Sequence, residues 1–417
     1  MSRLNEPTNE ASAMQKEISA IAEQGGGRAT KVEQLIQQYC PDGVKNKKLR
    51  ELANVAIGEF VRKDKQNPDA PYPVYNGGCS NTGFYEQFNM KAPKVIMSAR
   101  GAGAGFVNYI DQDFWAGNSC YAISPQTNRI TIKYLYYYLK HNETAFLSNQ
   151  QKGGIPAVSK KQVEDFSIPV PPLPVQEEIV RILDNFAELQ AELQAELQKR
   201  LQQYNYYRDN LLSFEGRTDV EWKKLGEIAT LIRGGNFQKK DFTDSGVPCI
   251  HYGQIYTHFG IHTTSTLKYI SPDVASKSKI AKTNDIVMAI TSENVEDVGK
   301  CVAWMGDEDI AVSGHTAIIQ HKQNAKYLSY YFHTSHFFTQ KKRLAHGTKV
   351  IEISPKDLAN VVIPIPPLAE QQRIVDILDR FSTLTTDITA GLPAEIEARR
   401  KQYEYYRDQL LTFKQKA

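Results

Sequence analysis

The apolar residues of this chain follow two alternating patterns, and each predicts its own kind of element. Short β-branched runs bounded by Gly, Asn, Ser and Pro predict strands near 95–97, 121–123, 285–290 and 316–319, with short helices following at 134–141 and 327–338. Elsewhere the period lengthens: Leu183, Phe186, Leu189, Leu193, Leu197, Leu201 and Tyr204 form one stripe, 21 positions in six steps. A period of 3.5 rather than 3.6 is that of a left-handed supercoil, so this helix expects a helical partner. Pro171-Pro172 and Pro366-Pro367 hold extended segments and place helix starts near Val175 and Ala369. A further helix is predicted at 32–39, after a polar stretch ending in Gly25-Gly26-Gly27 that reads as a mobile arm.

The long-period segment occurs twice, which organises the whole chain. Ile168-Pro-Val-Pro-Pro-Leu173 returns 195 positions on as Ile363-Pro-Ile-Pro-Pro-Leu368. Gln176, Ile179, Val180, Ile182, Leu183, Asp184 and Phe186 return at the same spacing as Gln371, Ile374, Val375, Ile377, Leu378, Asp379 and Phe381. The stretch 203–214 returns as 402–413, and Lys48-Leu-Arg-Glu-Leu-Ala53 resembles Lys224-Leu-Gly-Glu-Ile-Ala229. The implied plan is an arm at 1–31, a variable domain at 32–167, a helical spacer at 168–215, a second variable domain at 216–362 and a second spacer at 363–417. Each variable domain reads as mixed α and β. Leu35-Ile36 and Tyr39-Cys40-Pro41 echo Leu211-Leu212 to Phe214, which predicts that the N-terminal helix packs beside the C-terminal one and closes a pseudo-symmetric ring.

The two spacers differ in length. Gly391-Leu392-Pro393 interrupts the second stripe and predicts a joint near Leu392, glycine ending one helix and proline starting the next. The first spacer carries Ala-Glu-Leu-Gln three times over 187–198. Such an array is ordinary helix-forming sequence, or it is a ruler: four helical residues add about 6 Å and a net rotation near 40°. One base pair of B-DNA turns by roughly 35° and rises about 3.4 Å.

Composition narrows the class only slightly. A length of 417 residues suits several domains, and a net charge of +3 permits a nucleic-acid partner without demanding one. Cys40, Cys79, Cys120, Cys249 and Cys301 are odd in number and scattered, which predicts reduced thiols, a cytoplasmic setting and no zinc site. No apolar run approaches a membrane span, and the first residues lack a signal-peptide core.

Two variable domains, two spacers bearing Pro-Pro-Leu-x-x-Gln and Tyr-Tyr-Arg-Asp-x-Leu-Leu, and a tetrapeptide array in the first spacer together resemble the specificity subunit of a type I restriction-modification enzyme, over about 32–417. The resemblance implies an α+β chain with a pseudo-twofold internal repeat. Two mixed α/β target recognition domains would each read half of a split double-stranded DNA site, separated by helical spacers that form an antiparallel coiled coil. It also implies two methyltransferase subunits docked on the spacers and restriction subunits joined to them, with S-adenosylmethionine, ATP and Mg confined to those partners. The N-terminal extension and the absence of a Gly-Leu-Pro joint in the first spacer depart from a strict repeat.

Catalytic motifs are missing from the sequence: there is no Asn/Asp-Pro-Pro-Tyr/Phe, no phosphate-binding Gly-x-x-x-x-Gly-Lys-Ser/Thr and no nuclease Pro-Asp with Glu-x-Lys. Gly101-Ala-Gly-Ala-Gly105 lacks the spacing of a dinucleotide loop, and His251, His258 and His262 lack a completing Cys or carboxylate. No catalytic or metal residues are therefore expected. DNA contacts are expected from Lys91, Lys94, Arg100, Asn118, Lys160 and Lys161 in the first domain. In the second they are expected from Lys239, Lys240, Gln254, Lys277, Lys279, Asn294, His315 and Lys349. Arg100, flanked by a glycine that permits close backbone approach, and Gln254 are the favoured base readers. Ile179, Val180, Ile182 and Leu183, with Ile374, Val375, Ile377 and Leu378, exceed what a two-helix seam needs, and some of them are expected to dock the methyltransferase subunits. The alternative is a coiled-coil scaffold binding protein or carbohydrate, distinguished by insensitivity of binding to salt.

Overall fold

The computed structural model describes residues 31–148, 155–386 and 391–416. The arm expected at 1–31 falls almost wholly outside them. The described chain forms two compact units, one built from the residues up to 192 together with those from 397 onward, the other from 193–396. A single helix, Leu173–Ser213, contributes its first half to one unit and its second half to the other, and the division falls inside the Ala-Glu-Leu-Gln array. The second spacer forms two helices, Leu368–Thr386 and Gly391–Leu410. Gly391, with φ of 73°, opens the second helix and Pro393 stands in its first turn, and the joint expected near Leu392 borders residues 387–390, which lie outside the described ones.

In each unit the spacer helices pair with opposite chain direction. In the first, Phe186 lies 6.2 Å from Tyr403 and 5.6 Å from Tyr406 between ring centroids. In the second, Tyr207 stacks 5.9 Å from Phe381. These aromatic contacts carry an antiparallel coiled-coil pairing. The predicted stripe is buried at Leu183, Phe186, Leu189 and Tyr204.

The variable portions share a fold that their residues do not advertise. The first unit has a sheet in the order Ala53–Ile57, Cys120–Pro125, Lys94–Ser98, Val107–Ile110. The second has Ala229–Arg233, Thr316–His321, Ile286–Ala289, Cys301–Trp304 in the same order, with His262–Thr263 added at the edge. Register matches as well: Ala53 faces Pro125 as Ala229 faces His321, and Ile96 faces Ala122 as Val287 faces Ile318. A two-stranded ladder closes each unit, Asn46–Lys48 against Ser167–Pro169 and Glu221–Lys224 against Val362–Ile365. The repeated prolines Pro169 and Pro364 occupy equal rungs, opposite Asn46 and Trp222.

The helix predicted at 134–141 is Ile132–His141, whereas the one predicted at 327–338 is two helices, Ala325–Tyr331 and Ser335–Leu344. Thr334 caps the second of these by accepting from the Phe337 amide, which restarts the helix. The N-terminal helix Lys31–Tyr39 does pack with the C-terminus: the Val44 amide donates to the Lys414 carbonyl at 2.8 Å, and Val32, Cys40 and Val44 share a core with Leu411.

The docking candidates on the spacers divide by burial. Ile179, Leu183, Ile374, Val375 and Leu378 are at most 1% exposed, and Val180 and Ile182 pack against the same first-unit core. Most of the apolar excess on the spacers is covered by each unit's own sheet-and-helix domain, because the spacer's first turns are part of that domain's core. Ile377 is half-buried. The five buried residues therefore build the units, and of the eight expected docking residues only Val180, Ile182 and Ile377 keep exposed surface.

Candidate nucleic-acid interface

The signature residues form the frame on which the rest is mounted. Gln176 is fully buried; its Oε1 accepts the Thr131 amide at 2.9 Å, and its Nε2 donates to the carbonyls of Arg129 and Pro171, each at 2.7 Å. Gln371 repeats the arrangement, accepting from the Asn324 amide at 3.0 Å and donating to the Pro366 carbonyl at 2.8 Å. Thr131 and Asn324 are the N-caps of the equivalent helices, so one glutamine fixes the helix start and the proline turn together. Asp184 accepts from the Tyr137 hydroxyl at 2.6 Å and pairs with Lys133 at 2.8 Å. Asp379 does the same with Tyr330 at 2.7 Å and Lys326 at 2.9 Å. Burial and the carboxylate acceptor both raise the Tyr137 and Tyr330 phenols, which stay protonated donors.

At one end of each sheet this frame brings several loops together, and here the units differ. In the first, the Ala99 amide donates to the Ser119 carbonyl, the Val158 amide to the Ala99 carbonyl and the Gly117 amide to the Tyr75 carbonyl. In the second, the same bonds run from Ile290 to His315, from Ile353 to Ile290 and from Ser313 to Ile250. Arg100 bridges to Ala157 as Thr291 pairs with Glu352. Arg100 thus occupies the place of Thr291, Ser119 that of His315, Gly77 that of Tyr252 and Ile57 that of Arg233.

The first corner is small and tight. A Cβ on Gly77 would lie 2.1 Å from the Arg100 carbonyl oxygen, so only glycine lets the two loops meet, and Gly101 and Gly105 both take φ of 94°. Arg100 and Asn118 are both exposed there. The second corner is filled by rings. Tyr252 lies 5.0 Å from His315 and 4.5 Å from His251, the Tyr256 hydroxyl donates to the Thr291 carbonyl at 2.6 Å, and Thr291 Oγ1 is 3.0 Å from His315 Nδ1. Burial, reinforced by Lys239 and His315, lowers His251 to about 4, so it is neutral at physiological pH. Arg233 Nε donates to the Gly314 carbonyl at 3.2 Å and its Nη2 lies 3.0 Å from Glu352. Behind this corner Lys341 is buried and donates to the Glu296 and Val298 carbonyls at 2.8 and 2.6 Å, holding the loop after Thr291-Ser292. Burial lowers its ammonium to about 8.

The other expected DNA contacts divide between this region and elsewhere. Lys239 Cε would touch a Cβ on Gly253, and Lys279 pairs with Val312 beside Ser313, so both border the second corner; Lys240 follows Lys239, exposed. Asn294 is exposed and closes its own turn with Asp297, and Lys349 stands on the loop between His346 and Glu352. Lys277 is exposed just past the helix Pro272–Ala275. Lys160 and Lys161 open a helix capped by Ser159, and Lys160 is 3.5 Å from Glu164. Lys91 and Lys94 lie toward the other end of the strand Lys94–Ser98, about 20 Å of extended chain from Arg100. Gln254 departs from its expected role: it is buried, and its side-chain carbonyl accepts the His251 amide at 2.8 Å to cap a helix. Arg233, Thr291, Tyr252 and Ser119 had no signal of their own in the sequence; only the shared register singles them out.

Duplicated frames carrying unlike loop clusters define a protein that recognises two different elements of one ligand. The chain belongs to the type I restriction modification DNA specificity domain family, whose sequence model matches residues 41–203 and 218–398. It is 38% identical over 323 residues, 73% of this chain and 77% of the relative, to the type I restriction enzyme EcoR124I/EcoR124II specificity subunit of Escherichia coli. A Haemophilus influenzae sequence assigned as the specificity subunit S.HindORF215P is 31% identical over 386 residues, 88% of this chain and 95% of that one. The fold is shared with the crystal structure of the S subunit of the M. genitalium type I restriction-modification system, at a TM-score of 0.52, 15% identity and coverage of 88% and 94%. A second solved chain, from work on complex assembly and conformational transition of the type I system, matches at a TM-score of 0.58, 16% identity and coverage of 88% and 97%.

Proposed function

We propose that this chain is the non-catalytic subunit that gives a type I restriction-modification complex its DNA sequence, one half-site per unit. The carrying observation is the pair of matched sheets with unlike corners: recognition residues sit on loops held by a rigid scaffold, and here one scaffold holds two different sets. Two methyltransferase subunits and the restriction subunits are its partners, and S-adenosylmethionine, ATP and Mg belong to them. The cysteines are unpaired thiols and no described helix is long and apolar enough to cross a membrane, which suits a cytoplasmic role. The test is reconstitution with labelled S-adenosylmethionine. The purified chain alone should transfer no methyl group, and adding the methyltransferase subunits should methylate adenine in one bipartite sequence. Methylation by the chain alone, or by the complex without sequence preference, overturns the reading.

A further inference from the structure

The two corners each present an arginine, but not at the same place. At the first matched position the units carry Ile57 and Arg233, and at the second they carry Arg100 and Thr291. A third position, Ser119 and His315, lies between them, since its carbonyl anchors the residue before Arg100 or Thr291. We infer that Arg100 and Arg233 are the guanine-reading side chains of their respective half-sites, and that moving the arginine from one matched position to another is what makes the half-sites differ. This rests on the DNA-reading function proposed above.

Three features support a base-reading role, the second of them for Arg233 alone. Both side chains are exposed, while the backbone that carries them is paired to a neighbouring segment. Arg100 is bridged to Ala157 and packed against Gly77, and Arg233 sits in a ladder with Ala317. The guanidinium of Arg233 is aimed by bonds from Nε to Gly314 and from Nη2 to Glu352, which fix the plane of its fork. A planar, oriented fork meets the two acceptors on the major-groove edge of guanine with two parallel donors, a closer match than a single flexible ammonium provides. The neighbours also differ in kind: Arg100 stands among glycines that leave room for close approach, whereas Arg233 stands beside the Tyr252–His315 ring pair.

The test uses the complete system in cells, read by methylome sequencing, with the full chain carrying Arg100→Lys or Arg233→Lys. Lysine keeps the charge and the surface but not the fork. Each substitution should lower discrimination at one guanine by roughly ten- to a hundredfold, in one half-site for Arg100→Lys and in the other for Arg233→Lys. Arg100→Thr and Arg233→Ile should produce the same losses more completely. A motif unchanged in Arg100→Thr and Arg233→Ile as well as in the lysine variants overturns the inference, as does loss in the same half-site for both positions. Uniform weakening at all sequences with a shallower salt dependence would identify phosphate contacts, and it also overturns the inference. Failure of the underlying reading is separately visible, because the unsubstituted complex would then show no bipartite motif at all.

Discussion

Gln176 and Gln371 show what a repeated residue means physically. Each is wholly buried and satisfies backbone groups of two separated segments, so replacement by leucine strands three backbone groups at Gln176, and two backbone groups and the Gln323 side-chain carbonyl at Gln371. Gln176→Leu should destabilise the first unit by about 2–4 kcal/mol and leave the second intact, with Gln371→Leu doing the reverse. Denaturation followed by peptide-resolved hydrogen exchange separates the two; equal loss of protection in both units would contradict it. Recurrence marked these glutamines in the sequence, but their role was hidden because their partners lie far away in the chain. Titration is a second residue-scale property. Burial lowers His251, His321 and His333 to about 4, all in the second unit, while the first unit contains His141 alone. Because these folded-state values lie below the ordinary 6.5, the unfolded chain takes up protons that the folded unit excludes. Stability is therefore intact above about pH 6.5 and is lost as pH falls toward 4, by up to about 3 kcal/mol per histidine. Hydrogen exchange between pH 7 and 4.5 should show the second unit opening first, and earlier opening of the first unit would refute the assignment.

Elements were legible in proportion to how much their side chains repeat. The spacers were read correctly as helices because a 3.5 period and a Pro-Pro boundary are local signals. The common sheet was invisible because its register is written in backbone bonds: Met97 faces Tyr121 where Met288 faces Ala317, and either apolar pair fills a buried strand. The division of the spacer's apolar face has the same origin, since sequence shows an excess of apolar residues but not which of them the unit's own core covers. Val375 decides between the two roles. At 1% exposure inside the second core, Val375→Asp buries an unpaired carboxylate and should unfold that unit, costing more than about 3 kcal/mol. Circular dichroism with limited proteolysis checks it. A Val375→Asp chain that stays folded but fails to bind methyltransferase subunits would restore the docking role. Candidate base readers were only partly legible for a comparable reason. Arg100 was marked by its neighbouring glycine, whereas Arg233, in a strand, looked like any exposed residue.

For the whole molecule the open quantity is the distance between half-sites, and the Ala-Glu-Leu-Gln array bears on it directly. The array lies in an uninterrupted helix, Leu173–Ser213, and the division between the two units falls within it. Deleting 195–198 removes one tetrapeptide, shortens that helix by about 6 Å and turns its two ends by about 40° relative to one another. That angle is close to one base-pair step of roughly 35°, so the expected outcome is a complex that keeps both half-sites and loses about one base pair of the spacer between them. Angle governs the outcome more than length. A recognition face rotated away from the groove meets no readable edges, whereas a few Å of mismatch is absorbed by bending DNA for a few kcal/mol. Inserting one residue instead of four turns the apolar stripe by about 100° and should abolish helix pairing and methylation together. Methylome sequencing of a strain carrying the deletion gives the answer: a spacer shortened by one base pair with unchanged half-sites makes the array a ruler. An unchanged spacer leaves it as ordinary helix-forming sequence.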